Sequence, residues 1–300
     1  MIAIYATLTP FRGFATVAYW LGKYLLENGV NVHFVHSGVP LWALPIKEKP
    51  TLIYIGHWYY SQAAVEQQLL EGAREKIGYL FTEGPIDLTR AKHLEYFDEI
   101  LVASEFCREK FEEAGFDVKV IPVGIDTQVF KPMQMTKKWD VLTVGLSQTA
   151  ADKRKFINLV PRICNRLRFF INSRVNLKYK EMPRLYNSAR IFLSTSSAEG
   201  FNIPVLEAMA CGLPVVYNDS PATNEYAVGV AVEPLYVELK TIFTVPFFFE
   251  VYVPDPNGLR DAINELLTDR KKLYRLGVKA RKEAEKFDYR IIYRGLEKYD

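Results

Sequence analysis

An alternation of short apolar strands with helices, run through twice, constrains this chain's fold more than any other feature. The first run places strands at 1–7, 30–36, 52–55, 77–81, 99–103 and 119–121. Helical segments at 15–27, 62–76, 87–96 and 105–114 fall between them. The pattern restarts with strands at 140–144, 169–172, 191–193 and 213–217, with helices predicted at 155–167, 182–188 and from Pro204 onward. Strands alternating with helices imply a parallel sheet covered on both faces. The predicted fold class is therefore α/β, with two Rossmann-like doubly wound sheets in tandem and a ligand cleft between the ends of their strands. At 300 residues the chain suits two domains of about 150 each. The expected boundaries are 1–130, a linker at 131–139, a second domain at 140–286, and a final helix at 287–300 returning to the first.

Hydrophobic residues at 49% and charged residues at 24% match a soluble globular protein. The aromatic share of 14% predicts large core or acceptor-facing surfaces. Cys107, Cys164 and Cys211 are odd in number and far apart. They fit neither a disulfide framework nor a zinc site, which points to a reducing, cytoplasmic setting. No apolar run reaches the ~18–20 residues that span a bilayer, and the start lacks the pattern of a signal peptide. A soluble, unprocessed protein is the expectation.

Net charge is +3, but residues 153–190 hold eleven Lys and Arg against one acid, Glu181. This block reads as a solvated face, a site for a phosphate-rich ligand, or a contact with an anionic membrane surface. No signature of nucleic-acid recognition accompanies it, so no nucleic-acid partner is expected. Residues 240–254 are β-branched and aromatic and read as a hairpin turning near Pro246.

The stretch 193–226, LSTSSAEGFNIPVLEAMACGLPVVYNDSPATNEY, concentrates the candidate chemistry. A strand ends, the chain turns through Glu199, Gly200, Phe201 and Asn202, and Pro204 opens a short helix carrying Glu207 that stops at Cys211-Gly212. A helix N-terminus of this kind attracts anions. By themselves the two glutamates would read as exposed helix acids. Near the start of the chain, Arg12 and Gly13 occupy a βα turn at the ligand-binding end of a βαβ unit. The glycine there is also explained by the turn alone.

In order, several segments resemble the retaining glycosyltransferases of the GT-B fold known as family 4. EGFNIPVLEAMACGLPVV at 199–216 is close to the family pattern EGFGLPxLEAMAxGxPVV. YFDEILVAS at 96–104, IPVGIDTQVFKP at 121–132, Val144-Gly145 and MPRLY at 182–186 follow the family's other segments. The resemblance implies that Glu199 accepts hydrogen bonds from the donor sugar and that Glu207 holds the ribose. Gly145, Gly200, Phe201, Asn202, Ile203 and Tyr179 would complete the donor site. Charge develops on a departing diphosphate and calls for cations. The family's Arg is absent after Gly145, so that role passes to Lys153, Arg154 and Lys155, a group poorly placed for the dipole of a helix start. On the first domain Arg12-Gly13 stands where two glycines are usual. Thr82-Glu83 stands where a histidine usually follows the strand, and His57 ends an earlier strand as a second cleft candidate. His33, His36 and His93 read as structural.

No Asp-x-Asp, metal-ligand cluster or Ser-His-Asp order occurs, so neither a metal nor another cofactor is expected. The resemblance implies metal-independent transfer, with retention, of a hexose from a UDP- or GDP-linked donor to a glycan, lipid-linked or protein hydroxyl. The rival readings are a GT-B epimerase or phosphorylase and a non-catalytic sugar-nucleotide or glycan-binding protein. The basic block with 240–254 suggests peripheral membrane contact. A first domain of ~130 residues is short for the family and predicts a trimmed acceptor side.

Overall fold

β1 (Ile2–Ala6) is buried at every position, as a parallel strand covered on both faces must be. In the computed structural model it pairs in parallel with β2 (Val32–His36) on one side and β3 (Thr51–His57) on the other. The sheet continues through β4 (Glu75–Phe81), β5 (Glu99–Val102) and β6 (Lys119–Val120), giving the order β2-β1-β3-β4-β5-β6. Helix Gly13–Glu27 buries Val17, Trp20, Leu21 and Leu25 and packs against β1, β2 and β3. The structure describes residues 1–8, 13–44, 48–145, 150–172, 177–241 and 247–300.

The second sheet is also parallel. It comprises β7 (Trp139–Val144), β8 (Phe169–Asn172), β9 (Ala189–Ser194), β10 (Val215–Asn218) and β11 (Gly229–Val232), in the order β11-β10-β9-β7-β8. Val141, Ile191, Leu193 and Val216 of this sheet share a core with Leu259, Ile263 and Leu266 of helix Pro256–Thr268. An antiparallel pair, β12 (Tyr236–Lys240) and β13 (Phe249–Val253), stands apart from it. The turn of that hairpin, with Pro246, lies outside the described residues.

The chain divides into two units, Met1–Gly124 with Tyr289–Asp300, and Ile125–Asp288. Winding reverses between β1 and β3 in one unit and between β7 and β9 in the other. Ligand crevices of doubly wound sheets form beyond the carboxyl ends of the strands at such reversals. The segment expected as a linker lies along helix Met182–Asn187. Asn187 accepts from Met133 N at 2.7 Å and donates to the Lys131 carbonyl at 2.9 Å, and Lys137 Nζ reaches the Asn187 carbonyl at 2.8 Å. Tyr289 belongs to the first unit: it stacks on Trp20 at 5.3 Å and donates to Glu27 at 2.6 Å.

The helical segment expected at 87–96 holds only the 3-10 turn Lys92–Tyr96, and three further helices differ from their sequence expectation, each for a backbone reason. The helix expected at 62–76 occupies Trp58–Glu66, because the His57 side chain caps its start and Gln68 turns left-handed at φ 53° beyond its end. The helix expected at 155–167 is broken by Phe156 at φ 45° into single turns and the short helix Val160–Ile163. The last helix is confined to Tyr289–Ile292, since Gly295 at φ 90° separates it from a final turn, Leu296–Tyr299.

Candidate functional site

After β9 the chain stays buried through Thr195, Ser196, Ser197 and Ala198. Buried hydroxyls and amides must find partners, and here they find the backbone of the segment that precedes Phe156. Thr195 Oγ1 donates to the Lys155 carbonyl at 2.6 Å. Ser197 donates to the Arg154 carbonyl from both N and Oγ, each at 2.8 Å. The two basic residues are thereby pinned beside the turn that follows β9.

Their side chains meet Glu199, which is 8% exposed. Its carboxylate accepts from Arg154 Nη1 at 3.0 Å and from Ser196 Oγ at 2.5 Å, and it pairs with Lys155 Nζ. Arg154 Nη1 also donates to the Ala198 carbonyl at 2.5 Å. Burial pushes the Glu199 carboxyl up, but the Lys155 and Arg154 charges outweigh it and hold the group below its ordinary range. Two cations thus face one carboxylate. Lys153, the third cation of the sequence reading, is exposed; Arg154 and Lys155 are the two brought to Glu199.

The turn after Glu199 is held from several sides. Asn202 sits at φ 67°, a left-handed conformation that Asn tolerates better than other side chains. Its amide donates to Ser194 Oγ at 3.1 Å and Thr223 Oγ1 at 3.2 Å. Tyr226 donates to the carbonyls of Phe201 and Asn202, both at 2.7 Å, and stacks on the Phe201 ring at 4.7 Å. Gly200 and Ile203 are buried in the same turn.

Helix Ile203–Ala210 then places Glu207 at 0% exposure. A carboxylate so buried needs donors, and two phenols supply them: Tyr179 to Oε1 at 2.9 Å and Tyr186 to Oε2 at 2.6 Å. Behind this helix, Gly212 at φ 73° meets Gly277 of helix Arg270–Ala284; a Cβ on Gly277 would lie 2.5 Å from the Gly212 carbonyl oxygen. The absence of a side chain there lets the two helices touch.

The remaining predicted residues fall elsewhere. Gly145 directly follows β7, and its N–H donates to the Asn172 carbonyl at 3.0 Å. In the first unit, His57 Nδ1 accepts from Tyr59 N at 3.2 Å, so in the neutral ring the proton is on Nε2. That nitrogen lies 2.9 Å from Glu83 Oε2, and both side chains are almost fully buried. The neighbouring Thr82 hydroxyl turns back to the Gly84 carbonyl at 2.6 Å. Gly13 opens its helix, and Arg12 lies outside the described residues.

Sequence reasoning did not single out Ser196, Ser197, Tyr186 or Tyr226 as site residues. Tyr186 was within reach, because it closes the MPRLY segment. The serines were not, since a Ser-rich run carries no signal of what it binds. Among the described residues, no group of three or more His, Cys, Asp or Glu could hold a metal ion, and no helix is long and apolar enough to cross a membrane.

Two tandem Rossmann-like parallel sheets define the fold as GT-B. The chain superposes over 99% of its length on sucrose-phosphate synthase from Thermosynechococcus elongatus, covering 97% of that chain, with a TM-score of 0.73 at 15% identity. Anabaena HepE, solved with UDP-glucose, matches over 99% of this chain and 98% of its own, with a TM-score of 0.70 at 15% identity. Residues 170–283 match the family described as glycosyl transferases group 1. In sequence, the chain is 29% identical over 201 residues to "Putative glycosyltransferase 41" of Sulfolobus islandicus filamentous virus. That match takes in 63% of this chain and 60% of the relative, so the chain spans less than two thirds of the viral protein's length.

Proposed function

We propose that the chain is a retaining glycosyltransferase that moves a hexose from a nucleoside-diphosphate sugar to a hydroxyl acceptor without a metal ion. The observation that carries this reading is the pairing of Arg154 and Lys155 with the buried carboxylate of Glu199, on the turn that leads into the Glu207 helix. As the bond from the sugar to the diphosphate breaks, its electron pair stays with the leaving phosphate. Arg154 and Lys155 offset that growing charge where little water competes. Glu199, kept ionised by the same cations, accepts from sugar hydroxyls, and Glu207 accepts from the ribose. The acceptor oxygen forms the new bond on the face the diphosphate leaves, and its proton passes to the departing diphosphate oxygen, which has taken the electron pair of the broken bond.

UDP is the favoured nucleotide, in keeping with the UDP-glucose held by Anabaena HepE, and GDP is the second choice. On the acceptor side the reading assigns Arg12, Gly13, His57, Thr82 and Glu83 to a glycan, lipid-linked or protein hydroxyl. The basic block and the 240–254 hairpin give it a means of peripheral membrane contact. Three buried thiols, Cys107, Cys164 and Cys211, suit a reducing compartment.

The test is turnover of UDP- and GDP-hexoses over an acceptor panel, with and without EDTA, scored by nucleotide release and by the anomeric configuration of the product. The expected outcome is EDTA-insensitive transfer with retention, reduced about a hundredfold or more in Glu199→Ala. An inverted product overturns retention. Tight binding without turnover on any acceptor favours the non-catalytic sugar-nucleotide-binding reading instead.

A further inference from the structure

The two phenols on Glu207 differ in burial and in the element that carries them. Tyr186 is 0% exposed and sits within helix Met182–Asn187. Tyr179 is partly exposed and begins a single 3-10 turn, Tyr179–Glu181, flanked by exposed Lys178 and Lys180. One oxygen of the carboxylate, Oε2, therefore has a fixed donor 2.6 Å away, while Oε1 has one mounted on a short surface turn at 2.9 Å. A buried carboxylate oxygen left without a donor is costly. A hydroxyl that arrives at Oε1 from solvent competes for that oxygen with the Tyr179 phenol, the donor carried on the surface turn.

We infer that Tyr179 is a stand-in for a ligand hydroxyl. It satisfies Glu207 while the site is empty and gives way to the vicinal ribose hydroxyls of a nucleoside diphosphate. Resting on the reading of Glu207 as the ribose residue, this adds a specificity device. A ribonucleotide replaces the hydrogen bond it displaces, whereas a nucleotide lacking both hydroxyls cannot, so it binds with the phenol still in place or not at all. Tyr179 thereby sets the threshold for ribose against deoxyribose without touching the base or the phosphates.

The experiment is calorimetric titration of UDP, GDP and ADP and their 2′,3′-dideoxy counterparts into the whole chain as wild type, Tyr179→Phe, Tyr186→Phe and Glu207→Gln. The Phe variant at 179 keeps the ring and its 5.5 Å contact with Phe130 and removes only the competing hydroxyl. Its affinity for the ribonucleotide that binds wild type should rise on the order of tenfold, the dideoxy form staying unchanged. Tyr186→Phe, which removes the fixed donor, should bring no such gain. Equal affinity of wild type and Tyr179→Phe for the ribonucleotide, or a gain shared by the dideoxy form, overturns the stand-in role and leaves the ribose reading intact. A Glu207→Gln variant that still prefers ribonucleotide as strongly as wild type removes the ribose reading, and the stand-in role with it.

Discussion

Glu199 keeps its charge in a buried position because Arg154 and Lys155 face it. The linkage to pH follows from the direction of its shift. Its native carboxyl titrates below the value near 4.5 of the unfolded chain, so the unfolded state binds more protons as acid is added. The stability from these ion pairs is complete above about 4.5 and is lost as the pH falls through the lower native value. In urea unfolding, wild type should be more stable than Glu199→Gln at pH 7, and the gap should close on acidification below 4.5. A gap that stays constant to pH 3 would show that the pairing contributes nothing through charge. At this scale the residue types were legible in the sequence and their contacts were not. Arg154 and Glu199 are 45 positions apart, and nothing local announces that they meet. The His57–Glu83 pair was hidden in the same way. β3 and β4 run in parallel with His57 opposite Phe81, which brings Glu83, two residues further on, to the same side of the sheet.

Among elements, the helix carrying Glu207 depends on the one that crosses behind it. Gly277→Ala would place a methyl 2.5 Å from the Gly212 carbonyl oxygen, a backbone atom that cannot swing away. Overpacking of this kind costs about 1–3 kcal/mol, expected as a lower urea midpoint with an unchanged slope and weaker nucleotide binding. An unchanged midpoint would mean that helix Arg270–Ala284 slides without cost. Strands and their parallel pairing were readable from apolar runs, because a strand buried on both faces has no polar positions to disguise it. The broken helix near 156 was not. Phe156 adopts φ 45°, a conformation that bulky side chains seldom take and that no local signal marks.

At the scale of the molecule, the first unit is built from two separate stretches of chain, Met1–Gly124 and Tyr289–Asp300. Tyr289 is 0% exposed, stacked on Trp20 and hydrogen-bonded to Glu27. Removing a buried aromatic side chain costs about 3–5 kcal/mol. Tyr289→Ala should accordingly lower the urea midpoint of the transition reported by Trp20 fluorescence. A variant that unfolds with the wild-type midpoint would show that the C-terminal stretch adds little to that unit.

The sequence by itself determined the architecture, two parallel α/β sheets, because burial on both faces leaves a composition that can be read without coordinates. It also determined which glutamates stand in the motif at 199–216 and which cations, Lys153, Arg154 and Lys155, follow Gly145 in the chain. Tertiary structure alone decided their states: two cations closed onto Glu199, and two phenols unequal in exposure holding Glu207. Those states depend on distance and burial between residues remote in the chain, and the GT-B stretch around Glu199 and Glu207 acquires its charge balance only when β9, the 153–155 segment and the 179–186 segment are brought together.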